Sequence, residues 1–309
     1  MKLFIYYLQY LFFRLVCVVV RLIPFSVGLL AARAVGRFLY YALGDYRKVA
    51  FQNVRAAFNG EKQDSEIKQI VQGSFDRLGV FGFEFMWIPK MAQRLDHYIR
   101  VEGTEHVRRA LKRGQGVVLI VSHFGNWEWM AVATAAEGLP MHAVARPLRN
   151  PFIYGYVKRL RGLRGLKSVS KRGAVREAIK LVRRNQVVAI LIDQHERHGS
   201  VRVPFFGHDA STPSLPAILA IRRNVTVIPL FLYREKRLPY RMVFYEPFQV
   251  IETGNYERDI FENTKQYVQA IEREVKRRPV EWLWMHRRWR DGEPCTHDLT
   301  TAVRGEEKV

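Results

Sequence analysis

A histidine followed five residues later by a glutamate, with a glycine between them, is a set of groups able to move a proton. In this chain the set reads Ser122-His123-Phe124-Gly125-Asn126-Trp127-Glu128. His123 is a candidate general base, able to take the proton of a substrate hydroxyl through one ring nitrogen. A carboxylate on the other nitrogen would fix the tautomer and stabilise the imidazolium that forms. Glu128 is the expected partner, because five residues across a strand-to-helix turn can bring a carboxylate back to the ring. Gly125 permits a tight turn. The amides at the helix start, with Asn126 among them, offer a place for an anion or a developing oxyanion.

These residues need elements to hold them. The run Gly116-Val117-Val118-Leu119-Ile120-Val121 is continuously apolar, as a strand buried on both faces requires. A helix is expected from about Trp127 to Ala136, so His123 falls where strand passes to helix. Ligands in open α/β folds gather at that edge of the sheet. Further strands are expected at 141–145, 187–192, 225–233 and 240–245, with helices at 151–160, 174–184, 213–223 and 256–277. Residues 44–100 read as helical, with apolar positions at three- and four-residue spacing from Ile67 to Phe81. The alternation predicts an α/β fold with a mostly parallel central sheet flanked by helices. Asp193 and Gln194 end the third of these strands at the same edge as His123. Both are expected to face the site, Asp193 orienting a basic residue rather than touching substrate.

The charge balance limits the partners. Fifty Lys and Arg stand against 29 Asp and Glu, a net charge of +21, and that field attracts anions. A basic tract runs from Arg149 to Arg184, with Glu177 the only acid between 158 and 184. Anionic lipid headgroups are the first expected partner and the acidic face of a carrier protein the second. No nucleic-acid motif accompanies the charge, so nucleic acid is not expected. A phosphate loop of the GxxxxGK[ST] kind and a GxGxxG turn after a strand are both missing from the sequence. The two cysteines, Cys17 and Cys295, have no metal-type spacing with histidine, and no metal site is expected.

The N-terminus carries a different signal. Residues 3–23 read LFIYYLQYLFFRLVCVVVRLI, long enough as a helix to match the hydrocarbon core of a bilayer at roughly 30 Å. Gln9 and Arg14 interrupt the run, and an Arg at the centre of a span costs about 2.5–3.5 kcal/mol on insertion scales. A single-pass helix and a monotopic helix lying in the interface both remain open. The run is too long for the apolar core of a signal peptide, and Pro24-Phe25-Ser26 follows it in place of a small-residue cleavage site. A second amphipathic stretch, 25–43, carries Arg33 and Arg37. Residues 1–43 are therefore expected to form an anchor and interfacial helix, and residues 44–309 the catalytic domain. The basic downstream region places that domain on the cytoplasmic side.

The block VSHFGNWEWM resembles the HxxxxD/E signature of the lysophospholipid acyltransferase superfamily, and HFGNWE resembles the form typical of its lipid A late acyltransferases, the lauroyl and myristoyl transferases. Three further blocks follow the same order: 46–58 (YRKVAFQNVRAAF), Asp193-Gln194 with Val203-Pro204-Phe205-Phe206-Gly207, and 281–289 (EWLWMHRRW). The resemblance implies a glycerol-3-phosphate acyltransferase-like fold at the inner membrane. It implies that His123, paired with Glu128, activates a hydroxyl of a lipid A precursor, the 3-hydroxyl of an existing acyl chain. That oxygen attacks an acyl thioester, usually on acyl carrier protein, with no metal, no cofactor and no acyl-enzyme. Arg146, ahead of Pro147, looks like the position that binds the acceptor's phosphate or supports the catalytic carboxylate. Gly125, Asn126, Asp193 and Gln194 join it as the expected substrate-binding set. Pro229 and His286 are expected to be structural, or in the case of His286 to face a headgroup. Phosphatidylinositol mannoside, lysophospholipid and ornithine-type lipids are alternative acceptors. A basic membrane-binding protein without catalysis is the rival from another class.

Overall fold

Val117–Val121 is buried along its whole length because side chains on both of its faces meet apolar layers. Val118 and Ile120 pack into one core cluster, Val117, Leu119 and Val121 into the other. This period of two is what a central strand between two helical layers demands. The computed structural model describes residues 2–145, 147–170 and 173–290. Four helices come first: α1 (Lys2–Leu22), α2 (Phe25–Ala42), α3 (Gly44–Phe58) and α4 (Asp64–Gln93). A short α5 (Leu95–Tyr98) leads into β1 (Ile99–Glu102), α6 (Thr104–Lys112) and β2 (Val117–Val121). The alternation continues through α7 (Trp127–Ala136), β3 (Met141–Ala145), α8 (Pro151–Arg161), β4 (Lys167–Ser170), α9 (Ala174–Arg183) and β5 (Val187–Leu191). A hairpin of β6 (Ser200–Phe205) and β7 (His208–Pro213) precedes α10 (Leu215–Arg223), β8 (Thr226–Tyr233), β9 (Tyr240–Phe244) and α11 (Tyr256–Arg277).

The main sheet has the order β1-β9-β8-β2-β5-β3-β4. All its pairings are parallel except β8 with β9. The α/β architecture and mostly parallel sheet expected from the sequence are therefore present. Three features depart from expectation. Residues 99–102 leave the helical region as an edge strand, β4 forms from the polar Lys167-Ser168-Val169-Ser170, and 200–213 make an antiparallel hairpin. Each is an edge strand or a separate hairpin, where one side or face need not be apolar.

Helices α1 and α2 pack directly on the body. Asn150 Nδ2, at the start of α8, donates to Tyr6 O (2.8 Å) and Gln9 Oε1 (3.2 Å). The Arg14 guanidinium sits 4.7 Å over the Tyr156 ring. Arg21 donates to Met86 O (2.7 Å) and to the Tyr156 hydroxyl (2.6 Å). The polar groups that interrupt α1 thus turn toward protein. Its outer face shows Phe4, Leu8, Leu11, Phe12, Leu15, Val19 and Leu22 to solvent, and α2 adds Leu30, Val35, Phe38 and Tyr41.

Helices α2 and α4 approach closely through small residues. A Cβ on Gly36 would lie 2.3 Å from Phe75 O, and one on Gly79 2.1 Å from Ala32 O. Both obstacles are backbone, so the helices themselves would have to part. Gly79→Ala is expected to destabilise the protein by about 1–3 kcal/mol in thermal or denaturant unfolding. Gly82→Ala, on the same helix with nothing within 4 Å of the added carbon, is expected to be neutral or to stabilise by up to ~1 kcal/mol. Equal stability of the two variants would show that the contact does not hold α2.

Candidate active site

The register between β2 and β5 places the first two functional groups. Val121 lies opposite Leu191, so continuing both strands by two residues sets His123 beside Asp193. Nδ1 of His123 is 2.9 Å from Asp193 Oδ1, and the His123 backbone N–H donates to Oδ2 at 2.7 Å. The Trp282 indole N–H donates to the same Oδ2 at 2.8 Å. Asp193 is buried. Burial alone would push its carboxyl up, but the charge and hydrogen bonds of His123, with the Trp282 N–H, outweigh it and hold the carboxyl below the usual range. An ionised Asp193 accepts, so Nδ1 carries the proton and Nε2 is left as the basic nitrogen.

This corrects the expected pairing: the carboxylate on the imidazole is that of Asp193, and Glu128 is engaged elsewhere. Arg161, at the end of α8, donates from Nε to Glu128 Oε2 (2.8 Å) and from Nη2 to Oε1 (2.5 Å). The reason is local. Asn126 is the N-cap of α7, its Oδ1 accepting from the amides of Glu128 (3.1 Å) and Trp129 (3.0 Å). Glu128 then falls in the first helical turn, where α8 supplies a guanidinium. The neighbouring strand meanwhile delivers Asp193 to the histidine. Burial works against Arg161's charge, but the bidentate Glu128 contact outweighs it and raises the guanidinium above its ordinary value.

The other expected residues sort as follows. Gly125 has φ +65°, and a Cβ there would meet Leu232 O at 2.2 Å, so glycine is required. Asn126 is fully buried with both ends of its amide used, since Nδ2 donates to Glu84 Oε2 at 2.7 Å. Its amide therefore builds the turn. Gln194 follows Asp193 at the same edge and is half-buried. Arg146 lies outside the described residues. His286 accepts the His195 amide on Nε2 at 3.1 Å, a bridge between the C-terminal segment and the loop after β5. Pro229 sits within β8 opposite Ile120 of β2.

His123 lines a cavity of about 190 Å³. Met130 and Ala131 of α7, Met141, Ala143 and Val144 of β3, and Ala189 and Leu191 of β5 supply apolar walls, while Glu128 and Arg161 bring charge. A smaller recess on the other side, about 20 Å³, is bounded by Ser74, Arg77 and Phe81 of α4 and by Glu281–Leu283. His123 and Trp127 border both. Trp127 stacks on Phe81 (4.0 Å between ring centres) and meets the imidazole edge-on (4.8 Å). Among the described residues, no group of three or more His, Cys, Asp and Glu is placed to hold a metal.

Sequence reasoning missed Arg161 as Glu128's partner, Trp282 as a donor to Asp193, and Glu84 behind Asn126. Their partners lie 33, 89 and 42 residues away, and only the strand and helix packing joins them.

Comparison with known proteins places the chain in a family. Residues 1–291 match the model of a family described as bacterial lipid A biosynthesis acyltransferase. The chain is similar to the lipid A biosynthesis palmitoleoyltransferase of Escherichia coli (strain K12), 24% identical over 276 residues, covering 87% of this chain and 86% of that protein. The lipid A biosynthesis lauroyltransferase of the same organism is 24% identical over 294 residues, with 92% of each chain covered. A phosphatidylinositol mannoside acyltransferase of Mycobacterium tuberculosis (strain CDC 1551 / Oshkosh) is 25% identical over 214 residues, covering 68% of this chain and 65% of that one. Among solved structures, the 1-acyl-sn-glycerophosphate acyltransferase PlsC of Thermotoga maritima aligns with a TM-score of 0.38 and 15% identity, over 82% of this chain and 99% of that one.

The His286 bridge has a pH signature. Burial, with smaller contributions from the charges of His123, Arg288 and Arg290, outweighs the opposing pull of Asp193 and lowers the ring to about 4 from an ordinary 6.5. Between those values the unfolded chain binds a proton that the folded chain refuses, so His286 costs stability as pH falls from about 6.5 to about 4. His286→Gln keeps an acceptor for the His195 amide and removes the titration. Melting curves are expected to show the variant losing less Tm than the wild type across that window. Parallel losses would mean that His286 is already charged in the folded protein.

Proposed function

The chain belongs to the bacterial lipid A biosynthesis acyltransferase family and is an O-acyltransferase of lipid biosynthesis, and from that premise we propose that His123, oriented by Asp193, moves a fatty acyl group from an acyl carrier protein thioester to a hydroxyl of a lipid A precursor. The observation that carries the reading is that His123, held by Asp193, lines a cavity with mostly apolar walls.

Asp193 holds the Nδ1 proton, so Nε2 takes the proton of the acceptor hydroxyl as its oxygen attacks the thioester carbonyl. The tetrahedral intermediate collapses with cleavage of the C–S bond, and the leaving thiolate takes the proton back from the imidazolium. The acyl chain occupies the cavity between α7 and the sheet. Arg161, fixed by Glu128, is the cation lining that cavity, suited to an anionic group of donor or acceptor. The basic surface attracts both an acidic carrier and anionic lipid.

The protein sits monotopically on the cytoplasmic side of the inner membrane. Contacts from Tyr6 to Arg21 keep α1 against the body along its length, while its apolar outer face and that of α2 enter one leaflet.

The test is acyl transfer in detergent, read by mass spectrometry, with a tetraacylated Kdo-bearing lipid A precursor and carrier protein loaded with chains of several lengths. The wild type is expected to add one acyl mass. His123→Ala and Asp193→Asn are expected to lose on the order of 10²–10⁴-fold in rate. Glu128→Gln, which retains a hydrogen-bonding partner for Arg161, is expected to lose less than Asp193→Asn. The reverse order would make Glu128 the carboxylate that serves the base. Acylation of a phosphatidylinositol mannoside and not of the lipid A precursor would move this chain to the acceptor named for its mycobacterial relatives.

A further inference from the structure

Behind the catalytic turn lies a buried ionic group that the transfer reaction itself does not use. Arg234, just past β8, is 5% exposed, and Glu84 on α4 is 0% exposed. Arg234 donates from Nε (3.0 Å) and Nη2 (2.7 Å) to the two oxygens of Glu84. Its Nη1 donates to Glu281 Oε2 at 2.6 Å. The remaining oxygen of Glu281 pairs with Arg77 Nε at 2.8 Å, so two carboxylates meet two guanidinium groups. Burying such charges is costly and gives no general gain in stability over apolar packing.

What this group touches next is specific. Glu84 accepts the Asn126 amide, which leaves Asn126 Oδ1 no orientation but toward the amides of Glu128 and Trp129. The Glu281 carbonyl accepts the Gly125 N–H at 3.0 Å, and the Leu283 N–H donates to the His123 carbonyl at 3.1 Å. Phe124 and Trp282 pair as an antiparallel bridge between these bonds. Trp282 then reaches Asp193. One guanidinium therefore ties together the chain segment that carries the base and the segment that carries a donor to the orienting carboxylate.

We infer that Arg234 is a positioning residue for acyl transfer, acting through Glu84 on Asn126 and through Glu281 on the 281–283 segment, so that His123 and Asp193 meet at hydrogen-bonding distance. The inference rests on the reading of His123 as a base oriented by Asp193. It assigns the fork of the guanidinium, and not its charge alone, because three donors on two edges of one planar group are needed to hold both glutamates. Lysine has the charge without the fork.

The experiment compares Arg234→Lys, Glu84→Gln and Asp193→Asn with the wild type in detergent. Each is checked for folding by circular dichroism and melting, then assayed for kcat and for KM of the acyl donor. Proton NMR follows the downfield Nδ1–H resonance of the histidine–aspartate hydrogen bond, assigned through its loss in His123→Ala. Arg234→Lys is expected to lower kcat on the order of 10–100-fold with donor KM within about twofold, as a misplaced catalytic group does, and to weaken or shift the resonance. Glu84→Gln, of the same shape and with an oxygen still able to accept from Asn126, is expected to change both in the same direction by less. It decides the matter if Arg234→Lys does not fold. Folded variants whose kcat falls while the resonance stays in place, or whose kcat is unchanged, overturn the role of Arg234. A resonance that survives Asp193→Asn overturns the general-base reading and this inference with it.

Discussion

The parallel pairing of β2 with β5 is the constraint on which the site depends. Residues 117–121 and 187–191 run side by side, and the Ile192 N–H still reaches Val121 O at 3.3 Å beyond the last paired residue. The two chains therefore leave the sheet together, and the side chain and backbone of His123 both land on Asp193. Register in a sheet buried on both faces is fixed by side-chain size and alternation along each strand. A slip of one residue would offer Ser122 or Phe124 to the carboxylate, and neither can act as a base near neutral pH. Buried valines and isoleucines with no chemistry of their own thus set the geometry of the His123–Asp193 pair.

A turn that carries chemistry must also be held from behind. Residues 123–126 form no repeating backbone pattern, yet much of their hydrogen-bonding capacity is satisfied from outside. The C-terminal segment takes the Gly125 amide and gives to the His123 carbonyl, β5's end takes the His123 amide, and α4 takes the Asn126 side chain. Buried polar groups left without partners would cost about 1–3 kcal/mol each. The same bonds draw together four pieces of chain that lie far apart in sequence, which is why the C-terminal tryptophans and the middle of α4 belong to the site.

The strands that matter most were legible as continuous apolar runs: 117–121, 187–191 and 226–233 are central in the sheet and buried on both faces. The placement of His123 and Asp193 at the same carboxyl edge was legible as well, because each follows the end of such a strand. The identity of the carboxylate on His123 was not. Sequence distance favoured Glu128, five residues away, over Asp193, seventy residues away, and distance along the chain says nothing about the neighbour across a parallel pair. Arg161 stood in view as one of many basic residues, and only the packing of α8 against α7 singles it out. The edge strand β4 was hidden by its polar composition. The hairpin β6–β7 was hidden by Pro204 and by charged residues, which are tolerated where a strand has no buried neighbour on one side.

The two sides of the sheet are unequal in a way that bears on a reaction of lipids. α1, α2, α7 and α8 contribute to the same apolar layer, the layer that also contains Met130, Met141, Leu166, Ala189 and Leu230 from the cavity wall. Helix α8 lies between the two: Asn150 and Tyr156 meet α1, while Arg161 reaches Glu128 at the cavity. Helix α1 is thus on the side of the sheet that holds the cavity. The opposite layer, built on α3, α9, α10 and α11 with the tryptophans of 282–284, supplies rigidity and the hydrogen bonds that reach across to Asp193 and Gly125. The sheet therefore separates the layer that contains the cavity from the layer whose hydrogen bonds hold the His123 turn, and His123 stands at the edge where the two meet.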